Sequence, residues 1–236
     1  MFYNNTILAI VGGRKNSKGL PSKNILDFHG KPMVTWSIES AKNSLSVDRT
    51  IVSTDSEEII NIAKNLGADT PFIRPEEYAR DDSQVYGAIR HCIHWLEENE
   101  NKTYDFVLWL QPTSPLRTSQ HIDKAFEYYF KNRKTKNDAL VSVVKAPLES
   151  GLLMCVKQNK YIEFCFDSKK RNAQRQNIPT YYLPNGALYI APTHVIKKYT
   201  FYTKRTLFFE MNYDVSCDIN TMEDYHKALN IPFNGT

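Results

Sequence analysis

Apolar residues recur along this chain in two rhythms. "ILAIV" at 7–11 and "FVLWL" at 106–110 are continuous apolar runs, as expected of strands buried on both faces. In "KPMVTWSIESAKNS", Met33, Trp36, Ile38 and Ala41 fall at helical spacing. "RTIVSTD" reads as a second strand ending at Asp55. "SEEIINIAKNLG" then reads as a helix with Ile59, Ile60, Ile62, Ala63 and Leu66 apolar, capped by Asp55 or Ser56 and ended by Gly67. "PFI" at 71–73 is predicted as a brief strand. "QVYGAIRHCIHWLEENE" and "QHIDKAFEYYFKN" are predicted as helices. Alternation of apolar strands with amphipathic helices predicts an α/β fold whose parallel sheet is covered on both faces.

The pattern changes after Asp138. "ALVSVVKAP", "GLLMCVKQ" and "YIEFCFD" are β-like segments separated by turns, and the basic, polar "SKKRNAQRQNIP" follows. Asp138–Leu183 is read as an antiparallel excursion from the main sheet. "NGALYIAPTHVIKK" and "TLFFEM" return to strand, and "TMEDYHKALN" is a final helix. The whole chain, 1–236, is expected to be one domain with this lobe inserted.

Each of the first three major strands ends in a polar loop: "GGRKNSKG", "STDSEE" and "QPTSPLR". Parallel sheets place their ligands at these carboxyl ends. The first loop, with Arg14, Lys15, Lys18 and Lys23 among glycines, has the means to wrap an anion in backbone N–H groups and cationic side chains. It matches neither GxxxxGK[ST] nor GxGxxG. On its own it is either an anion site or a solvated loop.

Composition narrows the classes. With 30 basic and 26 acidic residues the net charge is +4, too balanced for bulk nucleic-acid binding. Cys92, Cys155, Cys165 and Cys217 form no CxxC pair, so neither a zinc motif nor a disulfide framework is expected. His91 and His94 share a helix face without a third ligand nearby. No run reaches membrane-span length, and "MFYNNTILAIVGG" lacks a basic leader region. A cytoplasmic protein without membrane or nucleic-acid partners is the expectation.

Six segments together resemble one family. "RKNSKGLPSKN", "IVSTDSEEI", "RPEEYARDDS", "LQPTSPLRT", "RQNIPTYYLPNGALYI" and "SCDINTMED" resemble, in order, the motifs of the CMP-sugar synthetases that activate sialic acid and related nine-carbon 2-keto acids. The resemblance implies a Rossmann-like α/β nucleotidyltransferase fold with an inserted dimerisation lobe at 138–183, and a homodimer. It implies CMP transfer from CTP to the anomeric hydroxyl of a sugar acid, with Mg²⁺ as cofactor and pyrophosphate as product.

Site residues follow from the same resemblance. Arg14, Ser17, Lys18, Gly19, Lys23, Asn24 and Arg74 would bind the nucleotide, Arg14 and Lys18 stabilising charge on the leaving pyrophosphate. Gln111, Arg175, Gln176, Tyr189, Phe201 and Tyr202 would contact the sugar, Arg175 and Gln176 coming from the lobe. Asp218, counted with Arg14 and Lys18 as catalytic, would hold Mg²⁺ with Asn220. Structural alternatives stand beside these roles: Lys23 as a solvated charge, Arg117 as a pin for the "TSPL" turn, and Tyr189, Phe201 and Tyr202 as core.

Some positions depart from the family pattern. Asn220 stands where the family's D-I-D has its second acid, removing a negative charge from the metal site. Leu183 stands where sialic-acid members often carry Arg, and "PLESG" lacks a Lys they tend to carry. Gly12-Gly13 before Arg14 is also unusual. A CMP-transferase for another acidic acceptor and a catalytically weak nucleotide-binding homologue are therefore the alternatives.

Overall fold

A computed structural model describes residues 1–16, 19–147, 155–158, 161–164 and 179–233, with 155–158 and 161–164 described as backbone only. Its centre is a six-stranded sheet ordered β10–β6–β9–β5–β1–β4. The strands are β1 (Ile7–Gly12), β4 (Arg49–Ser53), β5 (Phe106–Leu110), β6 (Ala139–Lys145), β9 (Tyr182–Pro192) and β10 (Thr206–Glu210). β1 runs parallel to both β4 and β5, and β10 runs parallel to β6. β9 runs antiparallel between β5 and β6. The expected mainly parallel α/β architecture is present.

Continuous apolar strands arise here because both faces are covered. Ile7, Ala9 and Val11 of β1, with Phe106, Leu108 and Leu110 of β5, enter one core cluster. There they meet α1 (Met33–Lys42), α2 (Glu57–Asn65) and α4 (Ser119–Asn132). The alternate residues Leu8, Ile10, Val107 and Trp109 enter a second cluster with α3 (Val85–Glu100) and α5 (Thr193–Lys198). Period-two side-chain alternation thus feeds two cores from the same strands.

A third, smaller cluster matters most for the site. Leu20 from the basic loop, Phe28 and Met33 beside the short hairpin β2 (Asp27–Phe28) and β3 (Lys31–Pro32), Leu116 from the "TSPL" loop, Ile219, and Ala228 from α6 (Met222–Leu229) pack together. It ties the first loop, the third loop and the C-terminal segment to one another.

Three expectations change. Residues 71–73 form no strand: Pro71 and Pro75 bracket the segment, and only an Ile51–Asp69 bridge extends the edge. "THVIKK" is helical as α5, starting directly after Pro192, whose fixed φ suits a helix entry. The boundaries of the excursion expected over 138–183 also move. β6 and the start of β9 pair with each other inside the central sheet, Lys145 against Tyr182. The buried run of β6 belongs to the main core, so what leaves the sheet lies between these two strands. There β7 (Cys155–Gln158) and β8 (Tyr161–Phe164) form a separate antiparallel pair. Among the described residues, no helix is long and apolar enough to cross a membrane.

Candidate active site

The chain leaves β1 for β4 on one side and later returns to place β5 on the other. This is the strand-order reversal at which open α/β sheets hold ligands. A cavity of about 390 Å³ opens there, at the carboxyl ends of β1 and β5, within the usual range for small-molecule sites. Arg14, Lys23, Asn24, Arg74, Gln111, Asp218 and Asn220 all line it.

Each cation is held by a different device. Arg14 follows β1, and its Nη1 donates to the Asp81 carboxylate and to the Arg80 carbonyl, both at 2.9 Å. Arg74 is 6% exposed and lies under the end of β4. Its Nε donates to Ser53 Oγ at 3.0 Å and its Nη2 to the Ser53 carbonyl. Burial pulls its pKa down to about 10, against the attraction of Asp55, and the neighbouring Arg14 charge adds to the fall. Lys23 begins a single 3-10 turn, and its Nζ donates to Asn220 Oδ1 at 2.9 Å. Burial lowers its pKa, Asp218 opposes the fall, and Arg14 reinforces it. Lys23 is therefore no freely solvated charge. Four cations, Arg80 included, line one cavity, and an anion bound between them would relieve their mutual repulsion.

Asn24 is buried and uses Nδ2 on the Arg14 carbonyl at 2.8 Å, shaping the loop rather than leaving its amide free. Gly19 lies so near the C-terminal segment that a Cβ would fall 2.7 Å from the Asn220 carbonyl oxygen. Ser17 and Lys18 lie outside the described residues, as do Arg175 and Gln176. Lys15 is exposed, and its backbone N–H donates to Asp55.

The polar end is built around Gly186. This residue has φ +76°, and a Cβ there would meet Gln111 Oε1 at 3.0 Å, Ser114 Oγ at 3.3 Å and Asp218 Cγ at 3.5 Å. Asn185 fixes the turn, accepting from Ser142 Oγ and the Ala187 N–H and donating to Ser216 Oγ. Arg117 is wholly buried and donates Nη1 to the carbonyls of Gln111, Ser114 and Ala187. Of its two open readings, the structural pin is the one observed: Arg117 staples the third loop to β9.

Asp218 accepts from Asn220 Nδ2 at 2.8 Å. Behind them Asp224 takes part in the capping box of α6 with Thr221 and also accepts from the Asn220 N–H, so this acid secures the helix start. As a magnesium site the donors are one carboxylate and one amide oxygen, both hard, and the amide oxygen would first have to release the Lys23 ammonium that now donates to it. Among the described residues no group of three or more His, Cys, Asp or Glu side chains adds to them. That set fits a magnesium ion only if substrate phosphates supply further ligands, which is the ion's usual habit.

The aromatic candidates separate. Tyr189 is half-buried, its ring 5.3 Å from Phe201 and 6.3 Å from Tyr202, and Asp218 lies near enough to act on its hydroxyl. Tyr202 is exposed, but Phe201 is 1% exposed within the second core cluster. Phe201 therefore supports the wall from behind instead of facing a ligand, a correction to its expected contact with the sugar. Asp81 and Trp109 were not singled out from the sequence. Asp81 was signalled by its place in the quoted "RPEEYARDDS" segment, whereas Trp109 lay hidden in an apolar strand.

Comparison with known proteins agrees with this geometry. The model of a family described as "Cytidylyltransferase" matches residues 8–231. The chain is 31% identical over 94% of its length to a pseudaminic acid cytidylyltransferase of Campylobacter jejuni, of which it covers 94%. It is 34% identical over 95% of its length to an N-acylneuraminate cytidylyltransferase of Escherichia coli, of which it spans 52%. Among solved structures, a CMP:2-keto-3-deoxy-manno-octonic acid synthetase complexed with CTP superposes over 95% of this chain and 97% of its own, with TM-score 0.68 at 15% identity. A 4-diphosphocytidyl-2C-methyl-D-erythritol synthase from Anaerococcus prevotii covers 95% and 97% likewise, with TM-score 0.64 at 13% identity. At such identities these two speak for the fold. The chain belongs to the cytidylyltransferase family.

Proposed function

We propose that this cytidylyltransferase transfers CMP from CTP to the anomeric hydroxyl of a nine-carbon 2-keto-3-deoxy sugar acid of the sialic, legionaminic or pseudaminic type. The observation that carries this reading is the convergence of Arg14, Lys23 and Arg74 on one cavity that Gln111 and Asp218 also line. The similarity to cytidylyltransferases for two such acids supports the acceptor class.

The anomeric oxygen attacks the α-phosphorus in line. An O–P bond forms as the hydroxyl gives up its proton, and the bond to pyrophosphate breaks. The chain's own task is positioning and charge neutralisation. Arg14 and Lys18 stabilise the leaving pyrophosphate, with Arg14 exchanging its Asp81 partner for phosphate oxygens. Arg74, Asn24 and the backbone around Gly19 hold the nucleotide, while Gln111 orients the acceptor. Asp218 and Asn220 would hold Mg²⁺, which would neutralise phosphate charge. The enzyme works in the cytoplasm as a homodimer whose inserted segment between β6 and β9 supplies the contact and brings Arg175 and Gln176 to the sugar.

The test is pyrophosphate release from CTP and Mg²⁺ with a panel of nine-carbon sugar acids. Release with one or more acids supports the reading. CTP binding without release for any acceptor refutes it in favour of a non-catalytic homologue, the alternative that Asn220 motivates.

A further inference from the structure

Trp109, near the carboxyl end of β5, has no role in the reading above. It is 4% exposed and lines the cavity with Val85 and Ala88 of α3. A Cβ at Gly12 would fall 1.9 Å from its Cη2 and 2.4 Å from its Cζ2. The indole thus occupies the room that any side chain at position 12 would need. Its Nε1–H is buried and has no hydrogen-bond partner among the described residues. Buried donors are nearly always paired, so an orphan donor on a ring that lines the cavity is open to a ligand acceptor once the ring shifts. Across the ladder Trp109 pairs with Tyr189, which leads on to Tyr202, so these side chains share one face of the sheet. Trp109 lines the cavity together with Gln111 and Asp218, and Asp218 also lies near the Tyr189 hydroxyl.

We propose that Trp109 is a specificity-determining residue for the acceptor, admitted to the cavity by Gly12. It selects sugar acids bearing acylamido groups and a methyl-ended tail over those with a polyhydroxylated tail. An acylamido group offers a methyl to the ring face and a carbonyl oxygen to the orphan N–H. With no side chain at position 12, the ring seats against the Gly12 backbone, and a small turn of the ring there brings its N–H to that oxygen. A glycerol-like tail would instead surrender its water against an apolar wall. The proposal rests on the sugar-acid reading and narrows it.

The test compares pseudaminic acid, which carries two acylamido groups and a terminal methyl, with N-acetylneuraminic acid, which ends in a glycerol tail. Pyrophosphate release is measured for the wild type, Trp109→Phe, Trp109→Leu, Gly12→Ala and the Gly12→Ala/Trp109→Leu double variant. Acceptor binding is read separately from indole fluorescence. The wild type is expected to favour pseudaminic acid in kcat/KM by about tenfold or more. Trp109→Phe, which keeps a ring but loses the N–H, should lower that value about tenfold while the KM for CTP moves far less. Trp109→Leu should narrow the ratio between the two acids. Gly12→Ala should lower kcat/KM for pseudaminic acid by displacing the indole, and should cost nothing further in the Trp109→Leu background. Acceptor-dependent quenching should vanish in Trp109→Phe.

Unchanged kcat/KM for both acids in folded Trp109→Phe, together with an unchanged acceptor ratio in folded Trp109→Leu, overturns the proposal and leaves the sugar-acid reading standing. The absence of turnover with every acid sinks that reading instead. In that event, quenching that persists unaltered in Trp109→Phe overturns this proposal as well, and quenching lost there supports it.

Discussion

Gly186 is the point where backbone strain and catalytic geometry meet, and replacing it with Ala tests both. At φ +76° an L-residue with a Cβ costs about 1–2 kcal/mol more than glycine. The new methyl would also press on Gln111 Oε1 at 3.0 Å and lie 3.5 Å from Asp218 Cγ. Gln111 contributes the end of a flexible side chain, so it yields by a few tenths of an ångström and adds less than about 1 kcal/mol. A total near 2 kcal/mol corresponds to a Tm lower by about 4–8 °C for a chain of this size. The activity should fall further than the stability. The residue read as orienting the sugar moves, while the Asp218 carboxylate stays in ordinary contact at 3.5 Å, and a misplacement of Gln111 on this scale lowers kcat/KM by about 10- to 100-fold. Thermal unfolding by circular dichroism gives the first quantity and pyrophosphate release the second. A full Tm loss with kcat/KM within twofold of wild type (about 0.4 kcal/mol) would show that the Gln111–Asp218 arrangement is not needed for turnover. An unchanged Tm would refute the strain argument.

Lys18→Ala is expected to abolish turnover while leaving the fold intact by circular dichroism; retained turnover sinks its phosphate role. Asn220→Asp places a second carboxylate beside Asp218, where an amide N–H now donates at 2.8 Å. It should lower the Mg²⁺ concentration needed for half-maximal rate and make thermal stability more Mg²⁺-dependent, and an unchanged requirement removes position 220 from the metal site. Asp138 is 2% exposed. Burial pushes its pKa up, but hydrogen bonds from Thr135, the Lys134 N–H and Arg205 outweigh it and hold the carboxyl well below its ordinary range. Between the folded and unfolded pKa values the unfolded chain binds more protons, so this stabilisation is present above about pH 4 and is lost as pH falls below it. Urea midpoints for Asp138→Asn should lie below wild type at pH 7, and the gap should shrink progressively as pH falls below about 4, closing only below the depressed folded-state pKa; a gap at about pH 2 equal to that at pH 7 contradicts the assignment.

Much of the sheet was legible because both faces of β1 and β5 are buried, which leaves an uninterrupted apolar run that polar loops then break. Residues 139–145 were legible as a strand but not as a member of the central sheet. A buried strand has the same apolar pattern whichever sheet it joins, and the partners of β6 are β9 and β10, about forty residues or more away along the chain. The 71–73 segment shows the opposite failure: Phe72 and Ile73 look like strand residues, but flanking prolines withhold the N–H groups that a ladder needs.

In the site, residues that act by charge were visible and residues that act by shape were not. Arg14, Lys23, Arg74 and Asp218 announce themselves as ionic groups in polar loops, and all four line one cavity. Arg117 announces itself the same way, yet its guanidinium is spent on three carbonyls inside the protein. A charge in a motif therefore identifies a demand only after burial shows whether that demand is a ligand's or the backbone's. Gly12 and Trp109 pose the reverse problem. Each reads as ordinary on its own, one a strand-ending glycine and the other a core aromatic. Only their approach, too close for any side chain at position 12, turns the pair into a feature of the cavity wall. Position-by-position reading finds the groups that neutralise phosphate, whereas the groups that would discriminate between acceptors emerge from pairs of residues nearly a hundred positions apart.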